Sequence, residues 1–353
     1  MAEFLGLGIT HYPLLAGTDE HMAGLLRWTL TDPDIPESAK DPSTWSSSMQ
    51  REWGDDGGRA AAAHHRAALV EGLARCRKEL DEFRPDVLVV WGDDQYENFR
   101  EEVVPPFCVL AYGETEVQPF ELMNKRGSPN AWGMPDDTTF TLHGDRAASL
   151  ALADGLIKEG FDVAYSYAKR DGAPFPHAIG NTQMFLDYEH AGTEFPYPMI
   201  PITVNCYGQH AIARRGGLAR FAEISGEQLD PVGPTPARCM DLGAAVARTL
   251  VAGDKRVALV ASSSWSHAFL VDKDWHLRPD TAADQRLYDA FVAGDTDTWR
   301  AVTGAEIVDA GQHEMLNWFC LVGAMQELGL PLDWSTFVTT DVFNSNKCFA
   351  VYK

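Results

Sequence analysis

The 353-residue chain carries 29 basic against 51 acidic side chains, a formal charge of −22 at pH 7. Such a field repels nucleic acid and anionic membrane surfaces, so neither is an expected partner. No stretch approaches the roughly 20 uninterrupted apolar residues of a membrane span. Met1-Ala2-Glu3-Phe4 runs directly into a strand-like segment without a basic, signal-like region, which makes the cytoplasm the expected location. The six cysteines stand singly, with no C-x-x-C pair. That pattern excludes a zinc ribbon, a thioredoxin-like site and a disulfide framework, and reads as buried small hydrophobes.

In chain order, the first apolar run is Phe4–Thr10, read as a buried strand. A polar Pro/Ser/Trp-rich insertion of weak periodicity follows, Gly17–Gly58, read as a lid or an interface arm. Its Trp28, Trp45 and Trp53 need a surface to cover. A helical pattern spans Arg59–Phe83 and ends at Arg84-Pro85, as the restricted backbone before proline dictates. Strands are then expected at Asp86–Trp91, Phe107–Leu110, Val163–Tyr167, Met199–Val204, Val257–Ala261 and Phe337–Val342. Helices are expected at Asp145–Glu159, Cys239–Ala252, Thr281–Ala293 and Glu314–Leu328, with a long excursion at Pro119–Asp137. This alternation predicts one large α/β domain with a mixed, largely parallel central sheet flanked by helices, plus the N-terminal insertion.

In open α/β sheets ligands bind beyond the carboxyl ends of strands, so polar residues following the apolar runs are candidates. Four places qualify. Gly8-Ile9-Thr10-His11-Tyr12-Pro13 puts a histidine after the first strand. Gly92-Asp93-Asp94-Gln95 puts two acids after the second, where they can bind a metal or cap the next turn. Ala261-Ser262-Ser263-Ser264-Trp265-Ser266-His267 carries a buried strand through a small-residue loop to a histidine. A serine hydrolase would also use Ser and His, but no G-x-S-x-G elbow occurs. Finally, Gly311-Gln312-His313-Glu314 opens a nearly all-apolar helix, so Glu314 is a buried carboxylate in need of a partner, for which a cation is the natural candidate.

With Phe175-Pro176-His177-Ala178, Pro201-Ile202-Thr203-Val204-Asn205 and Pro234-Thr235-Pro236-Ala237-Arg238-Cys239, these segments resemble, in order, the class III extradiol ring-cleavage dioxygenases. That family includes the protocatechuate 4,5-dioxygenase β subunit and the gallate and 3-O-methylgallate dioxygenases. The resemblance implies ferrous iron held by His11, Glu314 and a third ligand, with His267 as catalytic base and His177 as a second active-site histidine. The third ligand is usually a histidine. Here Asp94 takes that place by alignment, with Asp93 one residue away and His64 or His65 as other possibilities.

The substrates so implied are a small aromatic diol and dioxygen, with Tyr12 and Trp265 walling the ring and Arg170 or Lys169 available to a substrate carboxylate. A homodimer is expected on family grounds. Two alternatives stand beside this reading: the same scaffold with altered chemistry, either a metal-dependent hydrolase or an oxygenase of a non-catechol phenol, and a non-catalytic binding protein.

Overall fold

The computed structural model describes residues 2–125, 127–210, 214, 218, 220, 221 and 229–353. Ten strands are seen among them: β1 Glu3–Ile9, β2 Val87–Asp93, β3 Phe107–Leu110, β4 Thr115–Val117, β5 Phe140–Leu142, β6 Ala164–Ser166, β7 Met199–Val204, β8 Arg256–Ser262, β9 Leu332–Val338 and β10 Lys347–Tyr352. Eight of these form one sheet in the order β6-β3-β7-β2-β8-β1-β10-β9, and β4 pairs with β5 apart from it. The centre is parallel (β7, β2, β8, β1), while β10 and β9 join antiparallel on one side and β3 runs antiparallel to β7 on the other. A mixed α/β sheet is therefore what the alternation of patterns foretold.

The apolar residues of β2 explain why the sheet is covered on both faces. Val87, Val89 and Trp91 enter one core cluster with the helices Pro236–Val251 and Leu316–Leu328. Leu88 and Val90 enter the other, with the helices Arg59–Phe83 and His177–Leu186. A strand that buries both of its alternating faces reads as a continuous hydrophobic run, the mark of a central parallel strand. No helix among the described residues is long and apolar enough to cross a membrane.

Three differences from the sequence reading have physical reasons. The strand expected at Phe337–Val342 lies earlier, at Leu332–Val338, because Thr340 through Val342 turn to receive the carboxylate of Glu52. Strand β10 went unread, since its first residue, Lys347, is a fully buried lysine in an otherwise apolar strand. The Gly17–Gly58 insertion packs as short helices whose Met22, Leu26, Trp45 and Met49 join the second core cluster. Its Arg66 anchor on the helix Arg59–Phe83 donates to the carbonyls of Leu15 and Gly17 and pairs with Asp19.

The two helices under the first face cross at bare backbone. A Cβ on Gly243 would stand 1.8 Å from the Cys320 carbonyl oxygen, and one on Gly323 would stand 2.1 Å from that of Met240. Neither obstacle is a flexible side chain that could yield. Gly323→Ala is thus expected to lower unfolding stability by about 1–3 kcal/mol, the usual cost of overpacking. Chemical denaturation measures it, and an unchanged midpoint would contradict this crossing.

Candidate metal centre and active site

Strands β1, β8 and β2 lie side by side and parallel, so their carboxyl ends open at one edge. Ile9 pairs with Ser262 and Trp91 with Ala261, which carries His11, Asp93 and the Ser262–Ser264 loop to the same level. Glu314 comes from the opposite direction, in the short turn His313–Met315 that precedes the helix Leu316–Leu328.

These elements bring His11, Asp93 and Glu314 together, all buried, each with one donor atom within 4.8 Å of the others. His11 Nε2 stands 3.6 Å from Asp93 Oδ1 and 3.3 Å from Glu314 Oε2, and His267 Nε2 stands 3.3 Å from the same Oε2. The histidine tautomers follow from their other nitrogens. His11 Nδ1 lies 2.7 Å from the Ser262 carbonyl oxygen and His267 Nδ1 2.8 Å from that of Trp265. A carbonyl only accepts, so each Nδ1 carries the hydrogen and each Nε2 turns a lone pair toward the cluster.

Both oxygens of Asp93 and Oε2 of Glu314 are buried without a hydrogen-bond partner. Buried carboxylate oxygens are rarely left so, and a cation is what such a donor set fits. The titration behaviour agrees. Burial, and then the neighbouring Glu314 carboxylate, push the Asp93 pKa up. Burial works against a charged His11, but the carboxylates of Asp93 and Glu314 outweigh it and raise its pKa. Glu314 is pushed up by burial and held down more strongly by His267 and His11. Without a metal, the cluster therefore tends to take up a proton.

Asp94 does not face this cluster. Alternation along an extended chain turns adjacent side chains opposite ways, and the Asp94 carboxylate instead accepts the backbone amides of Glu97, Asn98 and Phe99. The expectation that placed Asp94 beside His11 is corrected to Asp93. The difference arises because the strand continues to Asp93 rather than stopping at Trp91. His64 is exposed and His65 packs on Phe343 with ring centroids 4.8 Å apart, so neither reaches the cluster.

His177 stands beside His11, their rings 5.0 Å apart and perpendicular. The Glu97 carboxylate holds it twice, accepting its backbone amide at 3.0 Å and lying 3.1 Å from Nδ1. Burial opposes a charge on His177, but Glu97 overcomes it and raises the pKa to about 9. Sequence reasoning missed Glu97, which lies on a loop without a pattern of its own. It also missed Tyr207 and Gln95, which donate to Glu314 Oε1 at 2.5 and 3.0 Å.

A cavity of about 330 Å3 opens over the cluster, lined by Tyr12, Gln95, Phe175, His177, His267, Phe269, Glu314 and Asn344 among others. Leu25 of the insertion also lines it, so that segment forms part of its wall. Tyr12 is held under the Nζ of Lys347, 3.7 Å from its ring centroid, while that lysine donates to the carbonyls of Phe343 and Ser345. Trp265 is absent from this wall: it is fully buried among Trp299, Trp318 and Phe337, and the expectation of a substrate contact is corrected. Arg170 pairs with Glu102, and neither it nor Lys169 lines the cavity. The one lysine or arginine among the described lining residues is Lys125, whose Nζ lies 2.7 Å from Glu121.

Asp284 ties the two loops of the site together. Fully buried, it accepts the Ser266 amide at 3.1 and 3.2 Å, Gln312 Nε2 at 2.7 Å and Asn346 Nδ2 at 2.8 Å. Ser266 precedes His267, and Gln312 lies two residues before Glu314.

Comparisons with known proteins bear on the family of the chain. Residues 55–351 match the family model described as the catalytic LigB subunit of aromatic ring-opening dioxygenase. Two relatives are named 2,3-dihydroxyphenylpropionate/2,3-dihydroxicinnamic acid 1,2-dioxygenase. That of Comamonas testosteroni is 27% identical over 64% of this chain and 56% of its own. That of Burkholderia vietnamiensis is 25% identical over 74% of this chain and 82% of its own. The chain thus spans little more than half the length of the first of these. An uncharacterized Escherichia coli K12 protein of solved structure is 12% identical, with a TM-score of 0.41, over 78% of this chain and 91% of its own.

Burial pushes the pKa of Asp284 up to about 7, against the pull of its hydrogen bonds to Gln312, Asn346 and Ser266. A folded value above the ordinary one of about 3.9 favours the folded state while the group is protonated. That stability is fully present below about pH 4 and is lost as pH rises through about 7. In metal-depleted protein, the stability of the wild type minus that of Asp284→Asn is expected to fall from about pH 4 to 7 and then level off. Denaturation at several pH values reads the difference, and a flat or rising curve would contradict it.

Proposed function

The chain belongs to the family of catalytic LigB subunits of aromatic ring-opening dioxygenases, and from that premise we propose that it is an extradiol dioxygenase opening a catechol-type ring with dioxygen. The observation that carries the reading is the convergence of His11, Asp93 and Glu314 on one point below a cavity, with three carboxylate oxygens lacking partners. His11 Nε2, Asp93 and Glu314 Oε2 would hold the metal, proposed to be ferrous iron. Bound there, iron would supply a site for vicinal hydroxyls and dioxygen together and a path for electrons between them. Two carboxylates and one histidine make this set one negative charge richer than the two-histidine, one-carboxylate arrangement, which favours the oxidised metal.

The remaining steps belong to the protein. His267 presents a bare Nε2 to the cavity, and burial lowers its pKa against the attraction of Glu314, so near neutrality it is an unprotonated imidazole. It is placed to take a proton from a diol hydroxyl. His177, held by Glu97, keeps its proton at neutral pH and offers a fixed N–H to a hydroxyl or to oxygen. Tyr12, Phe175 and Phe269 supply flat apolar walls for a ring and keep water from it. All of these side chains come from one chain. The free state of all six buried cysteines is consistent with a reducing, cytoplasmic location.

Oxygen uptake by iron-loaded protein with catechol, protocatechuate, gallate and 3-O-methylgallate, with the ring-opened product followed optically, tests the activity. No uptake with any diol would defeat the reading, and tight binding of zinc alone would turn it toward hydrolytic chemistry. Asp93→Ala is expected to abolish stoichiometric iron binding while Asp94→Ala retains it; the reverse result would return the ligand to Asp94. His267→Phe is expected to keep the metal and lose roughly two to four orders of magnitude in turnover, the range for a missing acid–base group.

A further inference from the structure

The two oxygens of Glu314 have different surroundings. Oε1 accepts the Tyr207 hydroxyl at 2.5 Å and the Gln95 side-chain amide at 3.0 Å. Oε2 has no hydrogen-bond partner and faces His11 Nε2 and His267 Nε2, each at 3.3 Å. Tyr207 is itself buried, with its ring stacked on His313 at 6.3 Å between centroids. A carboxylate in this setting is oriented, with one oxygen anchored and the other offered.

That difference bears on how many positions a metal would keep open. Carboxylates bind metals through one oxygen or through both, and a second oxygen would occupy a position that a diol and dioxygen need. Partners outside the ligand set commonly decide the orientation of a ligand. Resting on the metal-centre reading above, we propose that Tyr207, assisted by Gln95, is a positioning residue that holds Glu314 as a one-oxygen ligand. Tyr207 lies three residues beyond Val204, the last residue of β7, and Gln95 lies two beyond Asp93, the last of β2. The strands that place the site therefore also place the two donors that orient its carboxylate.

Tyr207→Phe removes one hydroxyl and keeps the ring on His313. Both forms are loaded anaerobically with cobalt(II), and bound metal and visible d–d absorption are measured. The variant is expected to hold cobalt at the wild-type stoichiometry with a several-fold weaker visible band, because the added carboxylate oxygen raises the coordination number. Gln95→Leu removes the other donor and is expected to shift the band in the same direction, which keeps the test decisive if Tyr207→Phe folds poorly. An unchanged spectrum in both variants, or loss of the metal from both, would overturn the positioning role. Failure of the wild type itself to take up cobalt would instead overturn the metal-centre reading, and this inference with it.

Discussion

Two carboxylates, Asp93 and Glu314, are buried beside one another with an imidazole between them and no lysine or arginine among their described contacts. Removing a carboxylate from water costs several kcal/mol unless charge and hydrogen bonds compensate it. Here three oxygens are left without a hydrogen bond from the protein. The parallel order of β2, β8 and β1, the turn ahead of the helix Leu316–Leu328 and the backbone crossing at Gly243 and Gly323 all serve to hold this unfavourable juxtaposition in place. A folded chain keeps such a cluster when something outside the polypeptide completes it.

Around the cluster, His11 and Glu314 are held by polar partners one step farther out. The Ser262 carbonyl fixes the His11 ring, Ser263 Oγ donates to the Glu314 carbonyl, and Asn181 donates to that of His11. Thr182 and Ser262 join through their hydroxyls, as do Thr10 and Ser264. The run of serines after β8 is thus a bonding layer between strands. Their small size lets His11 and Glu314 approach, and their hydroxyls bond the hydroxyls of Thr10 and Thr182 and the Glu314 carbonyl. Glu52 extends the same wiring to the insertion, gathering Thr340, Asp341 and Val342 just before the loop that presents Asn344 to the cavity.

Much of this was legible in the sequence, because strand ends in an α/β sheet are places of known chemistry. His11, His267 and Glu314 were found by that rule, and so was the Asp93-Asp94 pair. The choice within the pair was not legible. It depends on where β2 ends and on a turn at Glu97–Phe99 that uses Asp94 as its acceptor, and local turn bonding leaves little trace in a single sequence. Trp265 misled because it sits beside His267 in sequence, while the chain between them turns and buries the indole in an aromatic core. Tyr207, Gln95 and Glu97 act across the fold on groups 80 or more residues away, contacts that periodicity and motif cannot reveal.

The most direct test of the metal centre is anomalous scattering above and below the iron edge from crystals of protein loaded with iron under anaerobic conditions. The account predicts one strong peak per chain, bounded by His11 Nε2, Asp93 and Glu314 Oε2, with Asp94 turned away. A peak anywhere else, or none in protein that carries iron by elemental analysis, would contradict it.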